Sequence, residues 1–391
     1  MTLQPASGAR DLNPQQVKKN HQIASKLSSL YQLWGYERIS PPHIERIDTL
    51  MAAGGISRNE ILKIVSDEPL GLRPEITASI VRAASTRFNE YERPLRFWST
   101  GTSFKCNSGI DGGINIEESF QSGVELIGRK SIHAEIELLS LLIESLKIIE
   151  ISQNYKTTLL IGNTYLMELI LSSLEITKKE QIKNILSNLD YIALVNLDID
   201  EEQKQHIKEI IKMRGTPKKI LTRLTNMFGS NHYIESLEEL FNIIEPLAKE
   251  KGIEVQLDPT LGTKYRLYSG LTFSLVSSSS SAPIIIAKGG RYDNLVKKFS
   301  SSDHDCYGIG FSISIDKLRE LVPYNNERYD NVEKVLIAYK QNSSLNKALK
   351  HQREFHNSGI VSVISHEPLK GKEATNQLLK TNRCTKVEWI D

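Results

Sequence analysis

The chain has 391 residues, enough for roughly two or three domains and a full hydrophobic core. Its 39% hydrophobic and 25% charged content is that of a globular protein, and its apolar segments are too often interrupted by charges or Asn to span a bilayer as helices. With 49 basic against 47 acidic residues the net charge is +2, which lacks the strong basic excess of a protein that grips a long RNA backbone. Three scattered cysteines (Cys106, Cys306, Cys384) make neither a disulfide framework nor a metal site, and the nine histidines show no ligand spacing. No metal and no cofactor is therefore expected. The start, Met1 to Asp11, lacks the apolar core of a signal peptide, so the expected compartment is the cytoplasm.

In chain order, Asn13-Pro14 reads as a helix start, an N-cap followed by a first-turn proline. Ile23, Leu27, Leu30, Tyr31 and Trp34 recur at helical spacing until Gly35. Residues 36–40 read as a strand stopped by Pro41-Pro42. Leu72-Arg73-Pro74-Glu75-Ile76-Thr77 is a turn into a helix, where Glu75 suits the positive end of the helix dipole. Residues 93–128 alternate on either side of a Gly/Asn/Asp-rich centre at 107–115, the pattern of a β-hairpin with a long loop. Leu95, Phe97 and Ser99 fall on one side and Arg96, Trp98 and Thr100 on the other.

Residues 131–149 make a helix with one apolar face, and 156–173 a strand, Asn163 and a second apolar helix. From about 177 to 250 short helical pieces alternate with breakers, the texture of a helical insertion. Strand signals return at 253–257, 264–273 and 284–287, with Ser277–Ser281 expected as a connecting loop. Gly289-Gly290-Arg291-Tyr292-Asp293 and Gly308-Ile309-Gly310 follow, the latter opening a strand that leads into a helix. Residues 331–391 alternate strand and helix as a small parallel α/β unit, with ten Lys or Arg against six Asp or Glu, a mild excess for an RNA reader.

The hairpin resembles motif 2 of class II aminoacyl-tRNA synthetases, in particular the histidyl branch. The first helix, strand and Pro41 resemble motif 1, the Gly-rich strand at 308 resembles motif 3, and Arg73-Pro74-Glu75-x-Thr77 and Gly289–Asp293 resemble signatures of the histidyl branch. The resemblance spans nearly the whole chain and implies an α+β fold. Residues 1–322 would form a class II synthetase-like core, an antiparallel sheet flanked by helices with an insertion at about 177–250. Residues 331–391 would be a small C-terminal α/β domain. Motif 1 also implies a homodimeric core, with Leu27, Leu30 and Trp34 as apolar residues in need of cover.

In the amino-acid pocket the resemblance implies that Glu75, Thr77, Gln121 and Glu125 hold the amino group of histidine, with Tyr268 and Tyr292 around its imidazole. The phosphate chemistry departs from the family. Where motif 2 carries Arg and Glu this chain has Lys105 and Asn107. The catalytic arginine aligns with Thr263, and the last arginine of motif 3 with Lys317. A lysine is a point charge without a planar fork, and a threonine is neutral, so amino-acid adenylation is expected to be lost. A kept histidine pocket without phosphate chemistry resembles the ATP phosphoribosyltransferase regulatory subunits, paralogues of histidyl synthetases. That resemblance implies a non-catalytic subunit required for the first step of histidine biosynthesis and for feedback by histidine. It also implies a short-form catalytic subunit as partner within a hetero-oligomer; no membrane is expected, nucleic acid is disfavoured by the charge, and the alternatives are an active or degenerate histidine–tRNA ligase or a binding protein that senses uncharged tRNA.

Overall fold

A computed structural model describes residues 3–391 apart from 53, 109–112, 152–153, 175–177, 262–266, 279–281, 301–305, 324–332, 341–343 and 372–374. The chain divides into two compact units, Met1–Val322 and Pro323–Asp391.

The first unit opens with helix α1 (Pro14–Leu33), where Asn13 and Gln16 exchange side-chain-to-backbone hydrogen bonds in a capping box. Strand β1 is only Glu37–Arg38, shorter than the expected 36–40, and pairs in parallel with Phe97 and Trp98. The prolines at 41 and 42 have no N–H with which to continue the ladder. A small sheet of β2 (Ile44–Arg46) and β3 (Leu70–Leu72), with α2 (Ile47–Ala52), precedes α3 (Thr77–Ser85). The hairpin is β4 (Leu95–Ser108) with β5 (Ile114–Ile127), antiparallel throughout, so its strands run further into the expected loop than the composition suggested.

Ser131 caps α4 (Ile132–Ile149), and Asn163 ends β6 (Lys156–Asn163) and caps α5 (Thr164–Ser173). The insertion comprises α6 (Lys179–Asn188), α7 (Tyr191–Val195), α8 (Glu201–Ile211), α9 (Pro217–Phe228) and α10 (His232–Glu250). Then come β7 (Ile253–Leu257), β8 (Leu271–Ser278), β9 (Ile284–Arg291), α11 (Asp293–Phe299), β10 (Gly308–Ser314) and α12 (Ile315–Leu321). Two expectations change here. The strand placed at 264–273 begins at Leu271, with 262–266 outside the described residues, and Ser277 and Ser278 belong to β8 rather than to a loop. Both serines pair with β6, and Ser277 also with β9, which holds them in the ladder despite their low strand preference.

The eight-stranded sheet has the order β1-β4-β5-β10-β9-β8-β6-β7. It is antiparallel from β4 to β6, with a parallel strand at each edge. One apolar cluster joins α1 and α4 to one face through Leu27, Tyr31, Trp98, Val124, Leu138 and Phe311. A second joins α3 and α11 to the other through Ile80, Val81, Phe97, Tyr292 and Leu295. This packing corrects one part of the motif 1 expectation, that Leu27, Leu30 and Trp34 need cover from outside the chain. Leu27 and Leu30 are buried within the chain, and Trp34 packs against the same cluster and donates to Glu144 at 3.0 Å. The chain's own helices cover this face, so it supplies no reason for a second copy.

The second unit has β11 (Lys334–Tyr339), α13 (Leu345–Asn357), β12 (Val361–Ile364), α14 (Thr375–Thr381) and β13 (Lys386–Ile390). Its parallel sheet has the order β12-β11-β13 around a small core of Val335, Ile337, Tyr339 and Ile390.

Arg73 is the largest fully buried side chain. Its guanidinium donates to the carbonyls of Pro41 (2.9 Å), Pro42 (3.3 Å) and Thr102 (3.3 Å), tying the end of the motif 1 segment to β4. Arg73→Met leaves these acceptors without their donor and is expected to lower the unfolding free energy by roughly 3–5 kcal/mol. Urea unfolding measures this, and a loss below about 1 kcal/mol would mean the carbonyls find other donors.

Candidate functional site

The β4–β5 register explains which hairpin residues share a surface. Phe97 faces Glu125, Gly101 faces Gln121, Ser103 faces Ser119, Lys105 faces Glu117 and Asn107 faces Asn115. Side chains alternate along a strand, so the odd-numbered positions of both strands share one face. On the next strand, Gly310 stands opposite Glu125 and Ser312 opposite Gly123. This face forms the floor of a cavity of about 370 Å³, walled by β9, the entry to α3 and the segment at 267–268.

Glu125 lies behind the lining residues Thr77 and Tyr292 and is 2% exposed. Thr77 Oγ1 donates to its Oε1 at 2.7 Å, and the Tyr292 hydroxyl donates to Oε2. Burial dominates its titration and pushes its pKa from 4.5 up to about 8; the two hydroxyl donors pull it down, and the nearby Glu75 adds to the rise. Glu75 lines the cavity, and its Oε1 accepts the Ala78 N–H at 2.9 Å, so the reading of this carboxylate as a helix-end partner also holds. Burial raises its pKa as well. Burial thus disfavours the ionised form of both carboxyl groups.

The glycines of the motif 3 strand have a local purpose. A β-carbon at Gly310 would fall on the Glu125 carboxylate, and one at Gly308 would enter the ring of Tyr292. Close approach is required here, by side chains of this same chain.

Of the other expected residues, Gln121 and Tyr268 line the cavity and Tyr292 closes its buried end. Gln121 is oriented by a short chain: Ser312 Oγ donates to its Oε1 at 3.0 Å and its Nε2 donates to Ser103 Oγ at 2.8 Å. Lys105, Asn107 and Lys317 line the same cavity, and Asn107 is tied to Glu117 at 2.9 Å. Thr263 lies outside the described residues.

Sequence reasoning missed Ser103 and Ser312, which only the register reveals. It also missed the role of the charged residues flanking Tyr292. Arg291 pairs with Glu135 at 2.9 Å and donates to the Arg129 carbonyl at 3.2 Å, while Asp293 accepts the Gly308 N–H at 3.0 Å. These contacts hold Tyr292 over Glu125. No group of three or more metal-ligating side chains occurs among the described residues, and no helix there is long and apolar enough to cross a membrane.

A sequence profile described as histidyl-tRNA synthetase matches residues 8–318. A protein from Prochlorococcus marinus named ATP phosphoribosyltransferase regulatory subunit is 79% identical, covering 100% of each chain. The chain belongs to this regulatory-subunit family. Among solved structures, one from Bacillus halodurans described as an ATP phosphoribosyltransferase regulatory subunit/histidyl-tRNA synthetase has a TM-score of 0.81 at 20% identity, covering 100% of this chain and 98% of the other. A histidyl-tRNA synthetase from Nostoc sp. PCC 7120 has a TM-score of 0.73 at 16% identity, covering 97% and 90%. The family thus shares the synthetase fold, an α+β architecture with a mostly antiparallel central sheet, as the motifs implied.

The state of Glu125 makes stability depend on pH. Its native pKa is raised above the unfolded value, so the native state holds the proton more tightly between about 4.5 and 8. Across that window this group's contribution makes the protein less stable as pH rises, because the carboxylate must ionise while buried. Glu125→Gln keeps the shape and removes the ionisation. Between pH 5 and 9 the variant is expected to gain roughly 2–5 kcal/mol relative to the unmodified protein. Urea unfolding at several pH values checks this, and parallel stability curves would show that Glu125 is already ionised at neutral pH.

Proposed function

We propose that this chain is a non-catalytic regulatory subunit, required by a short-form ATP phosphoribosyltransferase for the first step of histidine biosynthesis, and that its cavity senses histidine as the feedback signal. The observation that carries this reading is the contrast between the two ends of one cavity. The buried end keeps Glu75, Thr77, Gln121, Tyr268 and Tyr292, with Glu125 directly behind Thr77 and Tyr292, and the open end carries Lys105, Asn107 and Lys317 where the synthetases use an arginine fork, a glutamate and a second arginine.

The chemistry follows from these side chains. An α-ammonium or a protonated imidazole entering the buried end meets Glu75, with Glu125 behind Thr77 and Tyr292, and its charge favours the ionised form of both carboxyls. At the open end two lysines offer charge but no bidentate clamp for an α-phosphate, and Asn107 is committed to Glu117. Binding without adenylation is what a sensor needs. Histidine then acts on a bound catalytic subunit only through a difference in its affinity for the active and inhibited assemblies.

In this reading residues 1–322 form the synthetase-like core with the insertion at about 177–250, and 331–391 form the accessory domain. The working assembly is a cytoplasmic hetero-oligomer with a homodimeric core, as the resemblance implies. A nucleic-acid partner is disfavoured by the net charge of +2.

Reconstitution with the catalytic subunit tests the proposal. The chain alone is expected to show neither phosphoribosyl transfer nor histidine-dependent ATP–pyrophosphate exchange, while the complex transfers and is inhibited by histidine. Glu75→Gln removes one charge-assisted hydrogen bond and should move the inhibition curve to about ten- to a hundredfold higher histidine. Exchange activity in the chain alone would overturn the non-catalytic reading. An unchanged curve in a well-folded Glu75→Gln complex would place sensing elsewhere.

A further inference from the structure

The cavity carries opposite charges that do not meet. Of the three lysines lining it, Lys288 and Lys317 are exposed, whereas Lys105 is half-buried on β4. Among the described residues no ion pair or hydrogen bond engages the Lys105 ammonium. The acids nearby are engaged elsewhere. Glu117, its cross-strand neighbour, is exposed and accepts from Asn107 Nδ2 at 2.9 Å, and Glu60 accepts the Ser57 N–H at 2.7 Å. A cation partly withdrawn from water without a counter-ion is costly, and a bound anion offsets that cost.

The place of Lys105 in the cavity says what kind of anion. Alternate residues of a strand share a face, so one row runs along the hairpin from Glu125 through Gln121 and Ser103 to Lys105. Gln121 Nε2 donates to Ser103 Oγ at 2.8 Å, which fixes the middle of the row. Glu75 lines the same cavity; burial raises its pKa, and Lys105 is near enough to pull against that rise. The two groups thus feel each other without pairing. An α-amino acid carries its ammonium and its carboxylate on one carbon, so it can face both at once, ammonium toward Glu75 and carboxylate toward Lys105. A phosphate in that gap would instead set like charges against Glu75.

We infer that Lys105 receives the free carboxylate of the amino acid, so that the cavity selects a zwitterion over an amine or alcohol bearing the same ring. This rests on the reading that the cavity senses histidine, and it names the group that makes the sensing specific. Adenylation consumes that carboxylate, whereas a sensor leaves it free to be read.

The test titrates the isolated full chain by calorimetry with histidine, with histidinol, which has an alcohol in place of the carboxylate, and with histamine, which lacks the group altogether. The unmodified chain is expected to prefer histidine to both by about ten- to a hundredfold, the size of one charge-assisted hydrogen bond in a partly buried site. Lys105→Met removes the charge and keeps most of the side-chain length, and a thermal melt matching the unmodified chain confirms folding. In this variant histidine should weaken by the same factor while histidinol changes by less than about threefold, so the preference disappears. Lys317→Met should keep the preference. Equal affinity of the unmodified chain for histidine and histidinol would overturn the inference without recourse to any variant. A preference that survives Lys105→Met, or one lost equally in Lys317→Met, would also overturn it, the latter by tracing the effect to the general positive field. In each of these cases histidine still binds, and the sensing reading stands. Binding of none of the three ligands would remove the sensing reading and this inference together.

Discussion

The buried Glu125 carboxyl is the constraint around which the site is built. A group of this kind in the middle of a sheet is costly unless its neighbours satisfy it, and here they do so at close quarters. Thr77 from the start of α3 and Tyr292 from the end of β9 both donate to it, and Gly310 on β10 makes the room. Each neighbour is fixed in turn. Arg291 and Asp293 anchor Tyr292 to α4 and β10, and Arg73 ties the strand before α3 to β4. The motifs that looked like separate signatures along the chain are the parts of one enclosure.

That enclosure separates binding from chemistry. A synthetase must hold an amino acid and also neutralise a reacting phosphate, and the two tasks fall at opposite ends of the cavity. Carboxyls, hydroxyls and rings remain at the buried end, where any loss would leave a hole or an unpaired group. At the open end Lys105, Asn107 and Lys317 line the wall, and Lys317 and Asn107 are exposed, so substitution there disturbs the fold little. Under the proposed function, this difference in physical cost accounts for change at the phosphate end with the amino-acid end kept.

Much of the fold was legible because local chemistry and tertiary packing agree. Asn13 reads as a cap and acts as one, the helices expected after 131 and 163 begin where expected with Ser131 and Asn163 as caps, and alternation in 95–100 assigned the hairpin faces. The candidate site was legible only through resemblance, since nothing in the local pattern around Glu125 says that Tyr292 lies against it 167 residues later. The misreadings share a physical cause, which is that distant partners decide local fate. Ser277 and Ser278 are strand because both pair with β6 and Ser277 also with β9, and β1 is short because two prolines follow it. Leu27 and Leu30 looked like an interface because α4, more than a hundred residues on, is not visible as their cover in a helical repeat.

The protonation state of Glu125 offers the most direct test of the idea that this cavity receives a cation. Infrared difference spectra at pH 7, recorded on adding histidine to the isolated chain, distinguish a protonated carboxyl from a carboxylate. The expected result is loss of a protonated-carboxyl band and gain of a carboxylate band, both absent when the experiment is repeated with Glu125→Gln. Saturating histidine that leaves the carboxyl bands unchanged would contradict a cation-receiving pocket built on Glu125.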